Sequence, residues 1–321
     1  MSRLAFAIET GAISLPETGT IAVVGPPAGY DLSAFPKDRS VIVTTFKPDH
    51  DAFAALGLTV DVTAPPKPSA SVIVAGRSKA LTFTRIALAA SAGHPIIVDG
   101  GKDAGIDSIY KAVRKLAPVT PAVAKAHGKV FAVEPTRDLL ELAVEPAVVD
   151  GFKTFPGVFS ADGVDKASAL LASILPPLKG VVADFGAGWG YLSAQALKAS
   201  PDVSAVHLVE ADLNALSCAR ENIIDPRAQF HWADVATWEP EGRIDTIIMN
   251  PPFHTSRAAD PALGRAFIDA AARALAPKGG LWLVANRQLP YEATLKERFK
   301  TGEELTGSAG FKIFHATHPR R

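Results

Sequence analysis

Short apolar runs rich in β-branched residues alternate with helix-patterned segments along the whole chain. In the first half, Ile21 to Gly25, Val41 to Thr45, Ser71 to Ala75, Pro95 to Asp99 and Val130 to Val133 read as strands. Ala80 to Ala92 and Ile106 to Leu116 read as helices. Strands separated by helices imply a parallel sheet covered on its faces. Pro65-Pro66-Lys67-Pro68 is a loop, because proline has no N–H to give to a sheet ladder. Periodicity breaks between Glu145 and Phe155, where Pro146 and Gly151 fall, with Pro156 and Gly157 just beyond. That break predicts two domains, 1–148 and 149–321.

The second half repeats the alternation. Asp162 to Leu175 reads as a helix, with apolar residues at Val164, Ala167, Leu170, Leu171 and Ile174. Strands are expected at Gly180 to Asp184, Ala205 to Glu210, Gln229 to Trp232, Ile244 to Met249 and Gly280 to Ala285. Helices are expected at Gly190 to Ala199, Leu213 to Ile223 and Ala262 to Ala276. Two more strands, near Glu304 to Gly307 and Phe311 to Ala316, are joined by the hairpin-length loop Ser308-Ala309-Gly310. The result is a seven-stranded, mostly parallel α/β sheet with an antiparallel terminal hairpin.

Composition narrows the function classes. The chain has 321 residues and is 48% hydrophobic, enough for a core in each half. Its formal net charge is zero, so sequence-blind polyanion binding has no support and any nucleic-acid contact must come from a local basic patch. The single Cys218 excludes internal disulfides and an all-Cys metal site. No His, Asp and Glu group has metal-ligand spacing, so no metal is expected. Met1 to Thr10 carries Glu9 and no long apolar core, unlike a secretory signal. No apolar run of about 18 residues exists, so no membrane association is expected. The expected setting is cytoplasmic, and the expected state a monomer.

Candidate chemistry gathers at strand ends in the second half. Asp184-Phe185-Gly186-Ala187-Gly188-Trp189-Gly190 closes one strand and opens a helix. Glycines there permit tight turns and close approach of a ligand. The spacing is G-x-G-x-G, and Tyr191 stands where the last glycine of a dinucleotide fingerprint would fall. This favours S-adenosylmethionine (SAM) over NAD; a plain glycine turn is the alternative. Glu210 ends the next strand, where a carboxylate can accept both ribose hydroxyls of a nucleoside cofactor. A solvated strand-end acid is the alternative there. Asp212 is expected to cap the helix from Leu213. Asp234, after the strand Gln229 to Trp232, would suit an adenine amine.

Asn250-Pro251-Pro252-Phe253 follows the apolar run Ile244 to Met249. An exocyclic amine on a purine, or an amide nitrogen, is a poor nucleophile because its lone pair is delocalised. Two acceptors for its N–H groups would pull the nitrogen toward a tetrahedral shape and free that pair. The Asn250 side-chain oxygen and the Pro251 carbonyl can be those acceptors. Two prolines leave the backbone few alternatives, so the dipoles are preorganised. Phe253 can stack on a flat substrate. The alternative is a strand-ending Asn-Pro-Pro turn.

Flanking segments complete a family resemblance. Pro156-Gly157-Val158-Phe159-Ser160 and Asp162-Gly163-Val164-Asp165 precede the glycine loop, and Asn250 to His254 follows it. Leu283-Val284-Ala285-Asn286, Leu289-Pro290-Tyr291 and Gly310-Phe311-Lys312-Ile313 come later. From about Phe152 to Thr317 the chain resembles the bacterial small-subunit ribosomal RNA guanine-N2 methyltransferases and their large-subunit relatives. The resemblance implies two tandem Rossmann-like methyltransferase domains, the first a degenerate, RNA-binding copy and the second catalytic. It implies SAM, held by Asp184, Gly186, Ala187, Gly188, Gly190, Glu210, Ala211 and Asp234 and covered by Phe159 and Asp165. Asn250, Pro251, Pro252 and Phe253 map onto the acceptor loop. The implied partner is ribosomal RNA or the small ribosomal subunit, with the target guanine flipped from its stack. The first half has Gly25-Pro26-Pro27-Ala28-Gly29 but neither G-x-G-x-G nor Asn-Pro-Pro, as a non-catalytic copy would. Candidate RNA contacts are Lys79, Lys102, Lys125 and Lys129 in the first half, and Arg257, Arg287 and Lys312 in the second.

Three rivals share parts of this pattern. A protein glutamine amide methyltransferase uses the same acceptor chemistry but usually has Tyr after the two prolines. A DNA adenine methyltransferase would need a target-recognition domain. A non-catalytic RNA-binding protein would have no need of Asn250 or an intact glycine loop.

Overall fold

The computed structural model describes residues 1–252, 261–305 and 307–320. Phe253, His254 and Arg257 therefore lie outside the described residues. The chain divides into two compact units, Met1–Pro146 and Ala147–Arg321.

The first unit is a seven-stranded sheet of β1 (Ile21–Val24), β2 (Ser40–Val43), β3 (Thr59–Asp61), β4 (Ala70–Val74), β5 (Ile96–Gly101), β6 (Val123–Lys125) and β7 (Gly128–Val133). Its order is β3-β2-β1-β4-β5-β7-β6. All neighbours are parallel except β7, which runs antiparallel to both β5 and β6. The second unit opens with a small hairpin, β8 (Ala147–Val149) and β9 (Phe152–Thr154). Its sheet comprises β10 (Gly180–Phe185), β11 (Val203–Glu210), β12 (Ala228–Trp232), β13 (Ile244–Met249), β14 (Leu275–Asn286), β15 (Phe299–Leu305) and β16 (Phe311–Pro319). The order β12-β11-β10-β13-β14-β16-β15 repeats that of the first sheet, including the antiparallel end. The expected α/β class, with two methyltransferase-like sheets, is what the chain adopts.

Why these segments pair follows from their composition. Every residue of β4 is buried, as a parallel strand covered on both faces requires. In β13, Ile247 and Met249 join the core on one face and Ile248 joins the core on the other, the two-residue period of a strand. One face of the second sheet packs on Phe267, Tyr291 and Leu295, the other on Leu171, Leu192 and Leu216. Helices Pro261–Ala274, Lys166–Ile174, Tyr191–Ala199 and Leu213–Asn222 supply those layers, with Tyr291 at the N-terminus of the helix Glu292–Arg298.

Two crossovers differ informatively. In the second unit β10 reaches β11 through the helix Tyr191–Ala199, whereas in the first β1 reaches β2 through a loop and one short 3₁₀ turn, Lys37–Arg39. That loop leaves a cavity of about 480 Å³ lined by Tyr30, Phe35, Ile42, Phe53 and Leu58. All the residues that line the cavity belong to the first unit.

Gly264 lies within the helix Pro261–Ala274 because the fully buried Tyr291 ring packs on it. A Cβ there would sit 1.9 Å from the Tyr291 hydroxyl oxygen. Gly264→Ala is therefore expected to destabilise the second unit by about 1–3 kcal/mol through overpacking, despite alanine's better helix propensity. A lower unfolding temperature in scanning calorimetry checks it; an unchanged or raised one contradicts this packing account. Among the described residues, no helix is long and apolar enough to cross a membrane.

Candidate active site

The carboxyl ends of four neighbouring strands carry the polar residues singled out above. Phe185 pairs with Val209 on one side and Met249 on the other, so the glycine loop emerges beside Glu210 and beside Asn250. Glu210 in turn pairs with Trp232, two residues before Asp234. The strand order reverses between β10 and β13, the switch point at which open α/β sheets bind ligands.

Gly186, Gly188 and Gly190 all have positive φ, 73°, 56° and 94°. The three do different jobs. A Cβ at Gly190 would press on Ile223 and Ala219, so this glycine lets the loop pack on the helix Leu213–Asn222. A Cβ at Gly188 would meet nothing within 4 Å, so this face of the loop is open to a ligand. The Gly188 N–H donates to Glu210 Oε2 at 2.8 Å, and the Asp212 N–H donates to Oε1 at 2.8 Å. Glu210 is thus a hinge pin of the loop as well as a candidate cofactor ligand. Enclosure of its carboxyl pushes the pKa up to about 7, although those amides favour the charged form and the residue as a whole is only half-buried.

Asp184 lies beneath the loop and is fully buried. Its Oδ2 accepts from the Ser193 hydroxyl at 2.7 Å and the Ser193 amide at 3.1 Å, tying strand to helix. Oδ1 is buried with no hydrogen-bond partner among the described residues. Burial raises this carboxyl to about 7, with the charge of Glu210 adding to the rise. The structure places Asp184 as a support of the loop.

Asn250 is half-buried, with Pro251 buried and Pro252 exposed. Asn250 Nδ2 donates to Asp165 Oδ2 and to Ser168 Oγ, both at 2.9 Å. Asp165 is also the N-cap of the helix Lys166–Ile174, its Oδ2 accepting from the Ser168 amide at 2.8 Å. So Asp165, expected to cover the cofactor, is brought against the acceptor loop. Ser168 was not among the expected site residues. Its signal in the sequence is the Asp165-x-x-Ser168 spacing of a helix N-cap.

The other expected contacts scatter more widely. Phe159 is 58% exposed, and its carbonyl accepts from the buried Trp189 indole N–H at 2.9 Å, which ties the lead-in segment to the glycine loop. Asn222 adds a second tie, donating to the carbonyls of Lys153 and Trp189 at 2.9 Å each. The Ala211 carbonyl accepts from the Trp232 indole N–H at 2.8 Å. Asp234 Oδ1 accepts from the Ala236 amide at 2.8 Å, and Asp212 caps its helix as expected. Phe253 lies outside the described residues. Among the described residues no group could hold a metal ion.

One candidate RNA contact, Lys312, is corrected. Lys312 is buried and ion-paired to Glu292, so its charge is spent inside the second unit. Arg287 pairs with Glu304 at 2.9 Å and donates to the carbonyls of Ser308 and Phe311, pinning the terminal hairpin turn. In the first unit, Lys129 pairs with Asp107 and Lys125 lies over the Phe6 ring. Lys79 and Lys102, just past β4 and β5, are exposed. The loop after β1 differs in kind from that after β10. Pro26 and Pro27 have no amide N–H to offer, and a Cβ at Gly25 would fall 1.9 Å from Arg85 Nη1.

Comparison with known proteins agrees with this geometry. The family described as methyltransferase small domain matches residues 151–315. The ribosomal RNA small subunit methyltransferase C of Hahella chejuensis is 30% identical, covering 97% of this chain and 97% of that protein. The protein of the same description from Salmonella arizonae is 32% identical over 71% of this chain and 69% of its own length. The solved T. thermophilus 16S rRNA N2 G1207 methyltransferase (RsmC), in complex with AdoMet and guanosine, is similar with a TM-score of 0.78. It is 26% identical, covering 95% of this chain and 89% of that one.

Proposed function

Because this chain belongs to the ribosomal RNA small subunit methyltransferase C family, built on the methyltransferase small domain, we propose that it methylates the exocyclic amine of a guanine in ribosomal RNA with SAM. The observation that carries this reading is the register placing the glycine loop, Glu210 and Asn250 side by side at the switch point.

The residues present fit the cofactor. Each Glu210 oxygen accepts one backbone amide and keeps a lone pair for a ribose hydroxyl. Gly188 leaves an open face against which the cofactor can lie. When bound, SAM supplies an electrophilic methyl: the amine lone pair forms the N–C bond, the C–S pair returns to sulfur, and an N–H proton leaves to water. Asn250 Oδ1 and the Pro251 carbonyl accept the amine's two hydrogens and so localise its lone pair toward the methyl. No side chain need act as a strong base before attack.

The first unit holds the RNA. Its loop after β1 has Pro26 and Pro27, which offer no amide N–H, and Arg85 crowds Gly25, while Lys79 and Lys102 stand exposed at the carboxyl edge of its sheet. Replacing both by Ala should raise KM for RNA and leave SAM affinity unchanged, with the salt slope of RNA binding reduced by about one per lost phosphate contact. Unchanged RNA affinity at all salt concentrations would move the RNA to another face. The substrate is cytoplasmic small-subunit rRNA. Incubating the protein with labelled SAM, rRNA and cell protein tests the whole reading. Label in RNA is expected; label in a protein glutamine amide would favour the rival enzyme.

A further inference from the structure

We propose that Asp165 and Ser168 form a clamp that fixes the side-chain amide of Asn250 with its oxygen directed at the substrate amine, making both of them positioning residues for methyl transfer. The proposal rests on the acceptor-loop reading above and adds to it what holds the acceptor in place.

An asparagine amide has two faces of opposite character, a carbonyl oxygen that accepts and an NH₂ that donates twice. The chemistry at Asn250 needs the oxygen toward the substrate. Rotation by half a turn about the last side-chain bond would present NH₂ instead, and two donors would face each other. Asp165 decides between these states. An ionised carboxylate only accepts, so the atom 2.9 Å from its Oδ2 must be the Asn250 nitrogen. The second hydrogen of that nitrogen points to Ser168 Oγ, also at 2.9 Å. Both donor positions are used, and among the described residues Oδ1 accepts no hydrogen bond, leaving it as the substrate-facing end of the amide. The flipped amide would set an oxygen against a carboxylate oxygen, a repulsive contact.

The clamp is itself braced. Asp165 Oδ2 accepts from the Ser168 amide at 2.8 Å, so the carboxylate is held by the first turn of the helix it caps. Ser168 is buried on that helix, and its neighbours Ala167 and Leu171 pack into the core containing Ile248 of β13 and Val284 of β14. The clamp residues and the strand that carries Asn250 therefore share one packed layer. Preordering the amide removes a rotational choice before the substrate arrives, which is where positioning contributes to rate. Asp165 and Ser168 act through Asn250, whose nitrogen both of them hold.

Capping and positioning can be separated by substitution. Asp165→Ser keeps an N-cap oxygen but is too short for the same reach to Asn250. Ser168→Ala removes one acceptor while keeping a good helix former. Asp165→Asn retains an acceptor oxygen and should restore part of the rate. We expect Asp165→Ser to lower kcat by about tenfold, the loss of one charge-assisted hydrogen bond, with the SAM dissociation constant unchanged. Adding either substitution to Asn250→Ala should cost nothing further, because the group being positioned is gone.

Nuclear magnetic resonance gives a readout that needs no substrate. The chain has four asparagines, Asn214, Asn222, Asn250 and Asn286, so selective ¹⁵N labelling resolves every side-chain amide. The Asn250 pair, identified by its loss in Asn250→Ala, should show slow hydrogen exchange, accelerated in Asp165→Ser and Ser168→Ala. If exchange is unaltered in both variants, or if Asp165→Ser weakens SAM binding while kcat holds, the clamp is overturned and Asp165 is a cofactor cover. If the clamp signals behave as expected but the methyl goes to protein, it is the substrate reading that fails instead.

Discussion

Asn250→Ala is expected to lower kcat for rRNA methylation by about 10²–10³, the usual effect of losing one preorganised polar group at a reacting centre. The SAM dissociation constant should stay close to wild type, because Glu210 and the glycine loop are untouched. The logic is differential binding: the amide oxygen matters most when the amine becomes pyramidal, so its loss falls on turnover. Steady-state kinetics on rRNA, beside calorimetry with SAM, separates the two quantities. A variant that binds SAM poorly and turns over normally once saturated would assign Asn250 to the cofactor.

The second large effect concerns Glu210. Glu210→Ala should weaken SAM about 10- to 100-fold, since a charged acceptor for hydroxyl groups is lost together with the pin on Gly188. Its pH dependence follows from a carboxyl pushed up to about 7 by enclosure. Ribose hydroxyls donate to the ionised form, so below that pKa binding must first release a proton. SAM affinity should therefore rise about tenfold from about pH 6 to about pH 8 and then level off. Glu210→Gln, which cannot titrate, should flatten most of that rise. The stability of the unliganded protein runs the other way. A carboxyl raised in the folded state binds a proton that the unfolded chain has already lost. Stability therefore falls as pH climbs from the ordinary carboxylate range through about 7. Asp184, also raised to about 7, adds to this fall. An affinity independent of pH across this window would mean that Glu210 does not face the ribose.

The fold was legible where burial is symmetric and turns are punctuated. β13 and β10 are apolar runs ended by Asn-Pro-Pro and by glycines, so their type and their ends could both be read. β3 and β6 escaped because three-residue edge strands with exposed positions carry no period. The helix Lys47–Ala55 escaped because only Phe53 of it is buried. The β8–β9 hairpin had a signal that went unread: Asp150-Gly151, both at positive φ, is a two-residue turn of the kind that closes hairpins. The site shows the same division. Glu210 and the glycine loop follow from position at strand ends. The bonds from Asp165 and Ser168 to Asn250 span 85 and 82 residues, and no local pattern encodes a contact of that range. The burial of Lys312 was equally invisible, since a lysine in a strand reads as a solvated charge until its partner Glu292 is placed.

The most direct test of the central claim is nucleoside mass spectrometry of rRNA digested after reaction with SAM and the purified protein. The account predicts N2-methylguanosine that accumulates with wild type and is nearly absent with Asn250→Ala. Methylation at any other nucleoside position, or N2-methylguanosine formed equally well by Asn250→Ala, would contradict it.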